Sequence, residues 1–202
     1  MSAKLYYVYD PMCSWCWGYA PTWQKLQQKL APFIDIQFCV GGLAEDSNNV
    51  MSGEMQTFLK QTWSKISQQL GTQFNFDFWQ NCQPRRSTFP ACRAVLIARQ
   101  YGKENEMLTA IQHAYYLQAK NPSNLDVLTQ LAVNIGLNSA DFVSQFQSDK
   151  LQEQLLKEIT FSRNLPINGF PSLVLANNAQ ATVIPIDYQN WQISFDAIKS
   201  KL

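Results

Sequence analysis

Two cysteines, Cys13 and Cys16, form a C-x-x-C pair in the stretch "YDPMCSWCWG". This spacing is typical of redox-active dithiols, and it also supplies half of many zinc sites. At the start of a helix, unpaired backbone N–H groups and the helix dipole stabilise a thiolate on the first cysteine. The second cysteine lies one turn further on the same face, where it resolves a mixed disulfide. The pattern therefore predicts an exposed, reactive Cys13 and a more buried Cys16.

The remaining candidate ligands do not complete a metal site. Cys39, Cys82, Cys92 and the single histidine, His113, stand singly along the chain, without a second C-x-x-C or C-x-x-H. A zinc site normally takes four ligands, so we expect no bound metal. Cys39 and Cys92 lie in apolar patterns and are predicted to be inert core residues. Half of a zinc site and a chance pair of core cysteines stay open as alternatives to a redox pair.

The composition predicts a compact globular protein without a nucleic-acid-binding surface. The 202 residues are 46% hydrophobic and 15% charged, with a formal net charge of +1. Binding to nucleic acid or to an anionic membrane needs clustered Lys and Arg, and the single adjacent basic pair, Arg85-Arg86, is interpreted as a solvated loop. No apolar run reaches membrane-spanning length, and the start of the sequence does not resemble a signal peptide. We therefore expect a cytoplasmic protein, in which a close cysteine pair is catalytic or metal-binding rather than a structural disulfide.

The residues around the pair predict a strand, a helix and a second strand. Residues 4–10, "KLYYVYD", are rich in aromatic and β-branched residues and indicate a buried strand. Apolar residues then recur at helical spacing from about Cys13, and Pro21 is expected to kink this helix without ending it. Residues 33–43 indicate a second strand that ends at a Gly-Gly pair. Such a unit predicts that the two strands are parallel.

The middle of the chain predicts helices. Ser123 followed by Asp126 suggests a capping box at one helix start. Six helical segments and no convincing strand are predicted between residues 46 and 164. The segments are 51–70, 88–102, 104–119, 123–136, 139–147 and 149–163.

Strands return near the end of the sequence. Two apolar runs, 172–176 and 181–186, flank Asn177-Asn178, which suits a hairpin turn, and a last helix follows. The strands from both ends of the chain must pair, because neither end alone forms a stable sheet. The sequence therefore predicts an α/β protein of two domains. They are a discontinuous domain of residues 1–45 with 165–202, and an inserted all-helical domain of residues 46–164.

A late proline adds to the cysteine motif. Pro171 directly precedes an apolar strand run, which predicts a cis-proline at a tight turn; a loop proline entering an edge strand is the alternative. The "CSWC" motif, Pro21 five residues after Cys16 and the "GFPS" stretch together resemble the thioredoxin superfamily, and within it the DsbA-like family. The surrounding "YDPMCSWCWG" is most similar to bacterial predicted protein-disulfide isomerases related to the FrnE group. The resemblance spans nearly the whole chain and implies a thioredoxin fold with a mixed central sheet.

This resemblance implies a role for each matching residue. Cys13 is the attacking thiol and Cys16 the resolving thiol. Pro171 is the cis-proline packed against the pair, and the backbone of Phe170 binds an extended substrate by strand addition. Family members often carry a smaller residue than Phe170 before this proline, which changes the substrate groove. Trp15, between the cysteines, is a candidate platform for apolar substrate segments.

The sequence also departs from the family pattern. The dipeptide Ser14-Trp15 lacks the histidine of the strongly oxidising members, and Tyr7 stands where relatives place a buried acid. Asp10 is the nearest carboxylate and is a candidate proton acceptor for Cys16. The alternative role for Asp10 is to bond its own backbone at the end of the strand.

These observations predict a bacterial enzyme, a thiol–disulfide oxidoreductase or isomerase that acts through Cys13 and Cys16. Its expected substrates are protein or small-molecule disulfides and thiols, without nucleic-acid or membrane partners. No bound cofactor is expected, and glutathione is a candidate redox partner. One alternative is a glutathione-dependent enzyme like the kappa-class transferases and 2-hydroxychromene-2-carboxylate isomerases, although those place a serine near Cys13 and lack the pair. The other alternative is a non-catalytic peptide-binding module.

Overall fold

A mixed β-sheet carries the segment that contains the cysteine pair. The computed structural model describes residues 3–177 and 180–202, and within them it forms four strands in the order β2-β1-β3-β4. β1 is parallel to β2 and antiparallel to β3, which is antiparallel to β4. The strands are β1 (Lys4–Tyr9), β2 (Asp35–Val40), β3 (Ser172–Asn177) and β4 (Gln180–Ile184). The predicted parallel pair and the pairing of strands from both ends of the chain are confirmed. Asn178 of the predicted hairpin turn lies outside the described residues.

An aromatic stack joins the first helix to the centre of the sheet. The Tyr7 ring of β1 stacks on Trp23 with centroids 4.1 Å apart and on Tyr9 at 5.2 Å. Phe38 of β2 meets the Tyr7 ring edge-on at 5.5 Å. Each such pair adds roughly 0.5–1.5 kcal/mol to the stability that burial alone gives. The stack therefore holds the helix that follows β1 against the sheet.

That helix, α1 (Ser14–Leu30), begins directly after Cys13 and continues through Pro21. Its buried face carries Leu26 and Leu30, one turn apart, as the helical spacing predicts. The last helix, α9 (Trp191–Lys199), packs against α1 and buries Ser194 and Ile198. The Ser194 hydroxyl donates to the Pro185 carbonyl over 2.6 Å, which fixes the loop between β4 and α9.

Seven helices fill the described chain between β2 and β3. Six of them match the predicted segments, whereas α3 was not predicted. It is a single turn, which is too short to show a helical period. Its aromatic rings pack on Trp63. The helices are α2 (Gly53–Leu70), α3 (Phe78–Asn81), α4 (Phe89–Gln100), α5 (Glu104–Tyr116), α6 (Leu125–Asn134), α7 (Ser139–Phe146) and α8 (Asp149–Asn164).

The capping box predicted at Ser123 is wrong. The cap residue of α6 is Asn124, and its side chain makes no capping hydrogen bond. Instead the Asn124 side-chain oxygen accepts from Arg85 over 2.6 Å, and the Ser123 hydroxyl donates to the Ser87 carbonyl over 2.7 Å. Arg85 is therefore half-buried and bonded, not a solvated loop residue as the sequence predicted. Tertiary partners compete successfully here with the local cap.

A nearly buried arginine anchors the loop that precedes α2. Arg93 of α4 binds both carboxylate oxygens of Asp46, at 2.6 and 2.8 Å, and donates to Gln152 over 2.8 Å. Its guanidinium also lies 4.8 Å from the centroid of the Phe146 ring. Such a bidentate pair fixes geometry as well as charge. The arrangement holds the loop around Asp46 on α4.

The chain divides into two compact units. One, the sheet unit, comprises residues 1–41 with 158–202; the other, the helical unit, comprises residues 42–157. The α/β fold with a mixed sheet and a helical insertion, predicted from the sequence, is confirmed. The boundaries predicted for two domains, after residues 45 and 164, stay a prediction. Among the described residues, no helix combines the length and apolar character needed to cross a bilayer.

Candidate active site

Cys13 occupies the N-cap position of α1. Its backbone is extended, with φ −78° and ψ 117°, and its Sγ accepts the Cys16 backbone N–H over 3.4 Å. Oxygen side chains of Ser, Thr, Asp or Asn normally take this role at a helix start. The Cys13 backbone N–H donates to the Asp10 carbonyl over 3.0 Å, which fixes the turn between β1 and α1. The Cys13 sulfur therefore lies at the positive end of the helix dipole, with one backbone N–H directed at it.

The loop before β3 lies directly against this sulfur. The Cys13 Sγ donates to the Phe170 carbonyl oxygen over 3.5 Å. The peptide bond between Phe170 and Pro171 is cis, and Pro171 is buried. Residues far apart in the sequence therefore meet at one sulfur atom, because β1 and β3 are neighbours in the sheet.

Both thiols are free, and they differ little in exposure. Cys13 has 7% of its surface exposed and Cys16 has none. Cys16 is the more buried of the two, as predicted, but the prediction of an exposed Cys13 is wrong. The sequence did not show that the Cys13 sulfur contacts both the Cys16 N–H and the Phe170 carbonyl.

Burial raises the pKa of the Cys16 thiol well above its usual value. A hydrogen bond with the Cys13 side chain and the charge of Cys13 raise the pKa further, and the charge of Asp10 acts in the same direction. The Asp10 backbone N–H, a donor to this sulfur, has the opposite effect. Cys16 therefore stays a neutral thiol near pH 7, which suits a residue that must not compete with Cys13 for an incoming disulfide.

Asp10 is fully buried at the end of β1. Its carboxylate Oδ1 accepts the Met12 backbone N–H over 2.8 Å, which is the local role that the sequence offered as an alternative. The residue also lies near Cys16, whose pKa responds to both its backbone and its charge. Its position thus allows either a structural or a proton-accepting role.

Three tyrosines lie around the pair. The Tyr188 ring meets Trp15 edge-on at 5.2 Å and Tyr19 at 5.5 Å, and Tyr19 lies 6.5 Å from Tyr7. Burial raises the pKa of Tyr7 and Tyr188, and the nearby cysteines raise both further. Burial also raises the pKa of Tyr19 to about 12. These hydroxyls therefore stay protonated at neutral pH.

Sequence reasoning did not assign Tyr19 or Tyr188 to the site. Tyr19 follows Cys16 by three residues, so helical spacing alone was a usable signal. Tyr188 lies in the loop after β4, where no local pattern indicates a functional residue. Trp15 is half-buried rather than freely solvent-facing, because its ring packs on Tyr188.

The other cysteines lie outside this arrangement. Cys39 and Cys92 are buried, as predicted. Cys82 is half-buried and donates from its sulfur to the Ala119 carbonyl over 3.0 Å, and burial raises its pKa. Across residues 3–177 and 180–202, no group of three or more His, Cys, Asp or Glu side chains is placed to hold a metal ion.

A dithiol at a helix start, facing a cis-proline loop on a mixed sheet, is the arrangement of DsbA-like thiol oxidoreductases. A model of the thioredoxin family matches residues 6–191, and the chain belongs to this family. Solved structures of similar proteins cover nearly the whole chain. A candidate protein disulfide isomerase from Nitrosomonas europaea is 28% identical, with a TM-score of 0.87 over 99% of this chain and 97% of that one. The cytosolic disulfide reductase DsbM from Pseudomonas aeruginosa is 22% identical, with a TM-score of 0.77 over 98% of this chain and 100% of that one.

Three further comparisons bear on the alternatives. The DsbM structure with GSH is 23% identical, with a TM-score of 0.75 over 98% of this chain and 100% of that one. A 2-hydroxychromene-2-carboxylate isomerase is 12% identical over 98% of this chain and 95% of that one, with a TM-score of 0.67, and so shares the fold alone. The ClpXP adapter protein SpxH of Halalkalibacterium halodurans is 23% identical over 181 residues, which are 87% of this chain and 59% of the adapter. The chain thus spans less than two thirds of this curated relative.

Proposed function

We propose that this protein is a thiol–disulfide oxidoreductase or isomerase that exchanges disulfides through Cys13 and Cys16. The observation that carries the proposal is the hydrogen bond from the Cys16 backbone to the Cys13 sulfur, beside a fully buried Cys16 thiol. It gives the two sulfurs different chemistry within one helical turn. One is prepared to become a thiolate, and the other is kept protonated until the first has reacted.

The exchange proceeds in two displacements. The Cys13 thiolate attacks one sulfur of a substrate disulfide; a mixed disulfide forms, and the other substrate sulfur leaves as a thiolate that takes up a proton. Cys16 then loses its proton and attacks the Cys13 sulfur. The Cys13–Cys16 disulfide forms, and the second substrate sulfur leaves. The substrate gains two electrons and the protein loses two; the reverse sequence oxidises a dithiol. In isomerisation, a second substrate thiol displaces Cys13 instead, and no net electrons are transferred.

The loop before β3 is the proposed docking edge for the substrate. The Phe170 carbonyl accepts the Cys13 thiol in the free protein, and ionisation of Cys13 removes that donor. The carbonyl is then open to a backbone N–H of an extended substrate, as in strand addition. Pro171 holds this loop at the start of β3, and Trp15 contributes an aromatic face next to Cys13. We assign substrate binding to Phe170, Pro171 and Trp15.

Asp10 is the proposed proton acceptor for Cys16. It is buried beside the resolving thiol, in a place that bulk water does not reach. A base at this position shortens the time that the mixed disulfide persists, because Cys16 has to ionise before it attacks.

The proposed substrates are protein and small-molecule disulfides and thiols, with glutathione as a redox partner. The likeness to DsbM, solved with GSH, supports glutathione, and the chemistry needs no bound cofactor. A cytoplasmic location stays a prediction; it is consistent with five free cysteines and with the cytosolic assignment of DsbM.

A redox titration tests this proposal directly. The protein is equilibrated in glutathione buffers of graded potential, and alkylated cysteines are counted by mass. We expect Cys13 and Cys16 to be lost and regained together at one potential, and Cys16→Ser to trap a mixed disulfide at Cys13. Absence of a reversible couple would contradict the proposal. In that case, activity of Cys16→Ser toward glutathione and an electrophile would favour the transferase alternative.

A peptide-binding role is the second candidate, since the chain aligns over most of its length with a ClpXP adapter. Changing both cysteines to serine separates the two functions. Binding of an unfolded client that persists in the Cys13→Ser, Cys16→Ser variant would support a binding module. Loss of binding together with the dithiol would leave the oxidoreductase proposal alone.

A further inference from the structure

Gly41, the residue after β2, occupies a position where any side chain would overlap the Phe170 ring. A Cβ added to Gly41 would clash with Cζ and Cε1 of that ring and would lie only 2.8 Å from Cε2. Phe170 is half-buried, and the end of its ring lies on the bare backbone of Gly41. The glycine therefore acts as a seat for the ring, which we call the Gly41 seat. Close approach of another group is one reason for glycine in or beside a strand.

The backbone of the Gly41 seat is held on two sides. The Gly41 N–H donates to the Tyr9 carbonyl of β1 over 2.7 Å. The N–H of the preceding residue, Val40, donates to the Glu158 carboxylate over 2.8 Å. Because these hydrogen bonds hold the backbone at Gly41, a side chain at position 41 would displace the Phe170 ring rather than the backbone.

Phe170 connects the Gly41 seat to the nucleophile. Its ring lies on Gly41, and its carbonyl oxygen accepts the Cys13 thiol over 3.5 Å. The residue is thus held at both ends, and the buried Pro171 follows it. We propose that Gly41 is a positioning residue, which fixes the Phe170 ring and thereby keeps the Phe170 carbonyl on the Cys13 sulfur. The inference rests on the proposed function for its catalytic meaning.

Gly41→Ala tests this link. The displaced ring releases the loop, the thiol loses its acceptor, and a free thiol ionises more readily. We expect the rate at which iodoacetamide modifies Cys13 at neutral pH to rise about fivefold. This factor corresponds to the free energy that one hydrogen bond typically contributes. If the loop also binds substrate, KM for a disulfide peptide rises while kcat changes less. Gly169→Ala is the matched control, because a Cβ there meets nothing within 4 Å.

A double-mutant cycle separates this mechanism from a general loss of structure. Phe170→Leu removes the ring atoms that lie on Gly41 and should raise the alkylation rate by a similar factor. Gly41→Ala should then have no further effect in the Phe170→Leu background, since the ring atoms that would clash with a Cβ at position 41 are absent. A further rise in the alkylation rate when Gly41→Ala is added to Phe170→Leu, or an unchanged rate in Phe170→Leu alone, would overturn the proposal. If Gly41→Ala does not fold, the Phe170→Leu rate alone decides it.

This readout does not depend on disulfide exchange. Alkylation of Cys13, located by peptide mass, reports the link from Gly41 to the sulfur even in a protein without a reversible couple. A failed redox titration with a positive cycle would therefore reject the oxidoreductase proposal and keep the positioning role. A reversible Cys13–Cys16 couple together with unchanged alkylation rates in the variants would support the oxidoreductase proposal and reject the positioning role of Gly41.

Discussion

The Cys16 backbone N–H donates to the Cys13 sulfur over 3.4 Å, while the Cys16 side chain itself has no exposed surface. Cys16 thus donates its backbone N–H to the Cys13 sulfur and keeps its own thiol buried. Exposure alone does not distinguish the cysteines, since Cys13 is itself only 7% exposed. The two cysteines differ in their surroundings: the Cys13 sulfur contacts the Cys16 N–H and the Phe170 carbonyl, whereas Cys16 is completely buried.

The two cysteines should differ strongly in reactivity. In the reduced native protein we expect iodoacetamide to modify Cys13 at least about tenfold faster than Cys16, because burial raises the pKa of Cys16 and hides its sulfur. Time-resolved alkylation with peptide mapping measures both rates. In denaturant the two rates should become similar. Faster reaction at Cys16 in the native protein would reverse the assigned roles.

The reduced protein should lose stability in alkaline solution. Burial raises the pKa values of Cys16 and Tyr7, and that of Tyr19 to about 12, so the folded state holds these protons more tightly than the unfolded chain. Their contribution is complete below about pH 8.5 and is lost as the pH rises through the folded-state values. We expect the free energy of unfolding to fall by several kcal/mol between about pH 8 and about pH 11.

Urea unfolding at graded pH measures this fall. Tyr19→Phe is the control, since it removes one of the titrating groups and should flatten part of the curve. A free energy of unfolding that stays level up to about pH 11 would contradict the burial of these groups.

Asp10→Asn should slow release of the mixed disulfide by about tenfold or more. The asparagine keeps a side-chain oxygen for the Met12 N–H and loses the base. Stopped-flow tryptophan fluorescence follows the release, and thermal unfolding checks that the fold is kept. A faster release would show that the carboxylate acts on Cys16 only as a nearby negative charge, which raises its pKa.

Trp15→Ala should weaken binding of apolar peptides. We expect KM for a disulfide peptide with an aromatic residue beside its cysteine to rise about tenfold, because a large aromatic contact is lost. The KM for a small disulfide without that residue should change much less. Trp17→Ala, on the same helix but outside the C-x-x-C pair, is the control. Equal effects of both variants would mean that the tryptophans only support the fold.

The prediction from sequence was most successful where structure depends on neighbouring residues. The strand before Cys13, the helix after it and the parallel strand that follows show their periods within a few residues, and so do six of the helices between β2 and β3. The helix α3 did not, since its single turn forms by packing on Trp63. At Ser123 a correct local pattern was overridden, because distant partners took the hydroxyl.

The dithiol, its place at a helix start, the proline before the late strand and the α/β class could all be predicted from the sequence. These features depend on residue type and short spacing, which a linear chain displays. The depth of Cys13, its contact with the Phe170 carbonyl, the place of Tyr188 near the thiols and the contact of the Phe170 ring with Gly41 became visible only in the folded chain. Those contacts join residues that are far apart in the chain, and their partners are set by the pairing of β1, β2 and β3.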